Sequence, residues 1–292
     1  MGGWCAAVTL PRVGPGVTRA SVMGMIAKDA APEIDRLVYA VGRNARRLDE
    51  DGLAAVLEAA GLDSPGRLNG LGDLILAGAL TDEVVELRYR YMADGDRTKF
   101  LDDAVAEGRL DFADGFYGAS DPVLALLSFT ETRRGAAAAE LWGGFVSEVQ
   151  ELTAFCGEVI GASGESPLLQ AYEGVPLPEG AELRLFALLE RMRYLRSDAH
   201  ALAWGAAGLT AGDMVELTPI WYGKEPRGVE PTLASLEERG LLKHGTLTKQ
   251  GQAVRDGIEA ETNRLAQQGF DALGDRGDRF VELLVTLPDE PA

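Results

Sequence analysis

Two histidines occur in 292 residues. One of them, His200, stands in the run RYLRSDAHALAWGAAGLT from Arg193 to Thr210, which gathers the groups best suited to bind an anion or move a proton. On a helix, Arg193, Arg196, His200 and Trp204 share one face, while Tyr194, Asp198 and Leu202 share another. Arg193, Arg196, Asp198, His200 and Trp204 are therefore the candidate ligand-binding set: guanidinium and imidazole for the polar end of a small organic ligand, indole as a flat apolar wall. A catalytic alternative has His200 as general acid–base and Arg196 as anion clamp. A general base needs a partner that sets its tautomer, and Asp198 is poorly placed for that. The plainer alternative is structural, with Arg196 and Asp198 bonded to neighbouring helices and His200 a satisfied, half-buried side chain.

Other chemistry is sparse. The acidic pairs Asp94/Asp96 and Asp102/Asp103 lack the further ligands and glycine of a calcium loop, so ADGDRTKF is expected to be a solvated turn. Cys5 and Cys156 have no CxxC or Cys/His spacing around them, so neither a metal site nor a disulfide framework is expected, and a reducing cytoplasm is the natural setting. There is no GxGxxG, GK[ST], GxSxG or HExxH pattern, and no cofactor is implied.

The elements that would position these residues are helices. Pro32 to Leu48 carries Ile34, Leu37, Val38 and Val41 at helical spacing behind an N-terminal proline. Residues 51–61 and about 65–78 form two short helices, and 82–110 contains more. Asp111 to Pro122 reads as a loop, and 136–160 as a long apolar helix with Trp142, Phe145, Val149, Leu152 and Phe155 in a stripe. Turn-formers crowd 161–181. Beyond them Glu182 to Ala207 is a helix of about seven turns; Thr210 opens another through a capping-box pattern; Gly228 to Arg239 is a third. Gly240 to Thr248, with His244-Gly245 as its turn, is a hairpin, and Thr248 caps a return helix.

Three helices, a hairpin and a return helix make a winged helix, in which the third helix can enter a DNA major groove and the hairpin is the wing. The fold expected is mainly α: a flexible tail (1–30), a helical domain (31–160) with a degenerate winged-helix pattern at 34–80, a linker (161–181) and a winged-helix domain (182–292). The N-terminal pattern rests on an echo, Leu71, Leu74, Gly78 and Leu80 repeating the spacing of Leu233, Leu236, Gly240 and Leu242. The long helices at 136–160 and 182–207 could pair with a second chain, giving a homodimer.

The run Arg196-x-Asp198-x-His200, followed by AAGLT, then LEERGLL and the closing LTKQGQAVRDGIEAETNRLA, resembles the SalK-like helix-turn-helix family of bacteria. Its members carry an Arg-x-Asp-Gly-His stretch, a winged helix and a closing Glu-Ala-x-Thr-Asp/Asn-x-Leu-Ala helix. Arg196, Asp198 and His200 match the first motif, with Ala199 in place of glycine; Glu259, Ala260, Thr262, Asn263, Leu265 and Ala266 match the last. The resemblance covers about residues 182–285. It implies either a MarR-like regulator or a protein of a biosynthetic pathway, and so leaves regulator against enzyme open.

Charge bears on partners. With 46 acidic against 28 basic residues the chain carries -18, a field that opposes generic coating of nucleic acid or anionic membranes. Around the wing the signs balance, and Arg227, Arg239, Lys243, His244 and Lys249 are the candidate contacts to double-stranded DNA. Glu230, Glu237 and Glu238 on the third helix are unusual for a base reader. No apolar run approaches the ~20 residues of a membrane span.

Overall fold

The computed structural model describes residues 25–291 apart from 65, 67 and 93, with backbone alone over 94–98. Of the tail expected over residues 1–30, residues 1–24, with Cys5 among them, lie outside the described residues. Helix α1 (Ile26–Arg47) begins inside the expected tail and holds Pro32 in its second turn, not its first. Burial of Ala27, Ala30, Ile34, Leu37 and Val41 outweighs the hydrogen bond that proline removes. Then come α2 (Glu50–Ala59), α3 (Gly72–Leu76), α4 (Asp82–Arg88) and α5 (Asp94–Ala106). The expected turn ADGDRTKF is thus largely the start of a helix, one that Leu101 and Ala104 anchor in a core.

Residues 111–122, expected as a loop, contain the antiparallel hairpin of β1 (Leu110–Ala113) and β2 (Phe116–Ala119). Asp114 and Gly115 both take positive φ at its tip, the two-residue turn that suits paired strands. The helix expected at 136–160 is two helices, α6 (Asp121–Trp142) and α7 (Val146–Ala162), broken at Gly143-Gly144. Each glycine costs a helix about 1 kcal/mol relative to alanine, so the pair is a natural break. Next are α8 (Pro167–Gln170) and α9 (Ala181–Ala206), then α10 (Ala211–Trp221), α11 (Glu230–Glu238), the hairpin of β3 (Leu242–Lys243) and β4 (Thr246–Leu247), α12 (Lys249–Phe270) and α13 (Gly277–Thr286).

The chain is predominantly helical, and its C-terminal part has the helix–helix–hairpin–helix order of a winged helix. Thr210 accepts from the Asp213 amide while Asp213 accepts from that of Thr210, the capping box expected for α10. Glu216, fully buried, accepts from the amides of Arg227, Gly228 and Val229 and so pins the loop that launches α11. Gly240, at φ 71, turns the chain out of α11 into β3.

A second unit of the same order precedes it. Thr81 caps α4 as Thr210 caps α10; α5 leaves through Gly108 at φ 69; and the β1–β2 hairpin leads into α6 as β3–β4 leads into α12. Leu80 lends its carbonyl to the Tyr117 amide, joining the segment before α4 to the hairpin. Leu101, Ala104, Gly108 and Leu110 repeat the spacing of Leu233, Leu236, Gly240 and Leu242. The echo at 71–80 matches only the end of a short helix; the wing-bearing repeat lies outside 34–80.

Three cores organise the chain. One holds the N-terminal unit, including Leu74, Leu80, Leu101, Leu126 and Leu168; a small one holds the C-terminal unit around Leu217, Leu236 and Leu242. The largest draws Leu37 and Val41 of α1, Trp142, Leu152 of α7, Leu189 of α9, Phe270 and Leu284 together. It takes residues from both sides of 161–181, and Leu168, Leu169 and Tyr172 inside that stretch are themselves buried. The apolar faces expected to meet a second chain are covered by α1, α12 and α13 of the same chain.

Candidate functional site

The C-terminal wing presents Lys243 and His244 to solvent, with Lys249 exposed at the start of α12. His244 and Gly245 both have positive φ, so the hairpin tip is tight. Arg227 is exposed in the loop before α11. Arg239 is otherwise engaged: it donates to Asp213 Oδ2 at 3.0 Å and to the Gly208 carbonyl at 2.9 Å, bracing the base of the unit. Glu237 and Glu238 are exposed on α11.

The five residues singled out on α9 separate into three groups. Arg193 turns to α1, donating to Asp35 at 2.6 Å and to the Tyr39 hydroxyl at 3.1 Å. Asp198 is buried, accepting from Arg90, from Ser166 Oγ at 2.5 Å and from the Leu168 amide at 2.8 Å. Arg196, His200 and Trp204 do come together, on the side facing α12 and the turn after α4.

There Arg196 donates to Glu259 Oε2 at 2.7 Å and to Asn263 Oδ1 at 3.1 Å. Glu259 Oε1 pairs with Arg255 Nη1 at 2.7 Å, and Arg255 is buried with its guanidinium 4.4 Å from the centre of the Trp221 ring. Burial alone would raise the Glu259 pKa; Arg255 and Arg196 outweigh it and hold the carboxyl below its usual range. The motif on α9 and the closing motif on α12 are thus two halves of one polar cluster.

His200 Nδ1 lies 2.9 Å from the Tyr91 hydroxyl, which also accepts from Trp204 Nε1 at 3.3 Å. His200 Nε2 lies 3.8 Å from Glu259 Oε1. Burial drives the His200 pKa down to about 4, with Arg255, Arg196 and Arg90 acting in the same direction against Glu259. At neutral pH it is an uncharged imidazole whose Nε2 is buried and without a hydrogen-bond partner.

Tyr91, Trp221 and Arg255 were not singled out from the sequence. Tyr91 belongs to the run Arg88-Tyr89-Arg90-Tyr91, three of whose side chains dock on α9: Arg88 stands over the Tyr194 ring, Arg90 pairs with Asp198, and Tyr91 meets His200 and Trp204. The cluster is therefore a joint between the two winged units.

A helix-turn-helix family model matches residues 122–290, more than half of the chain. The chain belongs to this helix-turn-helix family. The match takes in α6 to α13, so it covers the large core as well as the C-terminal winged unit. Comparison with curated proteins and with solved structures gave no match. Among the described residues, no helix of this helix-turn-helix protein is long and apolar enough to cross a membrane.

Proposed function

We propose that this protein is a ligand-responsive, winged-helix transcriptional regulator of the MarR-like kind that binds double-stranded DNA as a homodimer. The observation that carries the reading is the exposed C-terminal wing, with Lys243, His244 and Lys249 outside the core of a helix-turn-helix family member. Phosphate contacts fall to these residues and to Arg227, while Arg239 braces the unit from behind. The acidic α11 repels non-specific DNA and leaves affinity to a matched sequence and to the wing.

The joint of Arg90, Tyr91, Asp198 and His200 supplies the coupling, because a shift of the N-terminal unit moves α9, which leads directly into α10. The competing enzymatic reading requires an imidazole nitrogen that faces a substrate. In His200 one nitrogen is bonded to Tyr91 and the other is shielded from solvent.

Fluorescence anisotropy against duplex from the protein's own upstream region, titrated with salt beside an unrelated duplex, tests the reading. Sequence-preferring binding that persists near physiological salt is expected. Replacing Lys243 and Lys249 together by glutamine should weaken binding and lower the magnitude of the log–log salt slope by about 2, roughly 0.9 for each phosphate contact. No binding even at low salt would end the proposal. Light scattering with and without the duplex measures whether two copies bind together.

A further inference from the structure

A cavity of about 280 Å³ opens between α3, α6, α9 and the 172–178 segment. Its volume lies just below the ~300–1,000 Å³ typical of ligand sites. Its apolar wall includes Leu76, Val175, Leu183 and Phe186, and its polar wall includes Asp73, Glu131, Arg134, Glu190 and Arg191. The Tyr172 and Tyr194 rings stack beside it with centroids 4.5 Å apart.

The cations lining this cavity are already engaged. Arg134 pairs with Glu131 and donates to the Asn69 carbonyl at 3.3 Å, and Arg191 donates to the Val175 carbonyl at 2.6 Å. Glu131 is engaged by Arg134, but the other two carboxylates receive no side-chain donor among the described residues. Asp73 accepts only from the neighbouring Leu74 amide, at 3.1 Å, and Glu190 has no hydrogen bond or ion pair within 4 Å among the described residues. Tyr172, 1% exposed, lines the cavity; its buried hydroxyl interacts with the stacked Tyr194 but has no partner in good hydrogen-bond geometry. A buried hydroxyl without a well-formed hydrogen bond, in a cavity where Asp73 and Glu190 receive no side-chain donor although Arg88 and Arg134 act on them through charge, marks a place where a donor belongs.

We infer that this cavity binds a small amphipathic organic cation, a protonated amine held by Asp73 and Glu190 with its apolar body against Phe186, Leu76 and the tyrosine pair. The charge of -18 over the whole chain favours the approach of such a ligand. Arg88, over the face of Tyr194, adds positive charge near Glu190 and limits the site to one cationic group. The site adjoins the joint, since Tyr194 lies between the cavity and Arg88. The inference supplies a ligand class for the ligand-responsive part of the proposed function and rests on it only there; binding of the amine does not require DNA.

Asp73 gives a pH signature. Burial, then Glu190 and to a lesser degree Glu131, raise its pKa to about 6 against the opposing Arg134 and Arg88. Below that the carboxylate is lost, and amine binding weakens as it protonates.

Calorimetric titration of the full chain, without DNA, uses three probes of one shape: phenethylamine, 2-phenylethanol and 3-phenylpropionate. The amine should bind and the neutral and anionic analogues should not. Its affinity should fall as pH is lowered from about 7.5 to about 5, and Glu190→Gln should weaken it by about tenfold, the worth of one charge-assisted hydrogen bond. Asp73→Asn provides a second variant, with circular dichroism to establish that each folds. The inference is overturned if the amine gives no heat at millimolar concentration, if the anion binds as well, or if both folded variants keep wild-type affinity. Repeating the anisotropy titration with amine present separates a failure of this site from a failure of DNA binding.

Discussion

At His200 burial dominates, lowering the pKa together with Arg255, Arg196 and Arg90 against Glu259. Its pKa of about 4 in the folded protein lies below the ordinary 6.5. As pH falls, the unfolded chain takes up this proton first. The stability tied to the neutral imidazole is fully present above pH 6.5 and is lost progressively down to about pH 4, by roughly 3 kcal/mol in all. Asp73 acts in the opposite sense: its raised pKa means that the folded state gains a proton first, near pH 6, and gains stability as pH falls. The His200 contribution is isolated by comparing urea unfolding of the wild type and of His200→Gln across this range. The wild type should lose about 3 kcal/mol relative to the variant between pH 6.5 and 4; parallel profiles would mean that His200 is not desolvated. Helical spacing put Arg193, Arg196, His200 and Trp204 on one face; the last three do come together, while Arg193 turns to α1, and Asp198 is poorly placed to orient His200. Their partners were not legible in the sequence, because Tyr91 and Glu259 lie 109 and 59 residues away along the chain and only packing brings them near.

The C-terminal elements show where local signals suffice. Thr210, Asp213, Gly240, His244-Gly245 and Thr248 each fix a cap or turn within a few residues, so α10, the wing and the start of α12 were legible. The N-terminal hairpin was missed because its acidic, aromatic strands carry a weaker alternation, although Asp114-Gly115 is a hairpin dipeptide in its own right. Close packing between wing and helix is testable at Gly251. A Cβ there would stand 2.1 Å from the Leu241 carbonyl oxygen, a contact that neither backbone can relieve without moving the wing. Gly251→Ala should cost about 2–3 kcal/mol in a denaturant melt, the usual scale for overpacking, and should weaken DNA binding through the displaced Lys243. An unchanged midpoint would show that α12 can slide without disturbing β3.

For the molecule as a whole, the first described helix and the segment that closes α13 are tied together. Arg36 of α1 donates to the Leu284 carbonyl at 2.7 Å and the Leu287 carbonyl at 3.1 Å, closing the end of α13, and Trp142 Nε1 donates to the Pro288 carbonyl at 3.1 Å. The large core mixes α1, α6 and α7 with α9, α12 and α13. A fragment beginning at residue 181 would uncover Leu185, Leu189, Met192, Phe270 and Leu284 at once. It should bind a hydrophobic dye and melt without a cooperative transition, while the full chain melts cooperatively. A sharp melt of the fragment would restore the independent C-terminal domain expected from the turn-rich stretch at 161–181.

The sequence by itself determined the helical class, the caps and turns of the C-terminal winged unit and the residues of α9 that share a face, because each depends on interactions within a few residues. The tertiary structure alone decided that the apolar faces of α6, α7 and α9 close on α1 and α13, that Asp198 anchors the 166–168 segment, and that Asp73, Tyr172 and Glu190 line one cavity. Those outcomes depend on which buried surfaces meet and which charges are left without partners once they do, and residues so far apart in the chain carry no local mark of it.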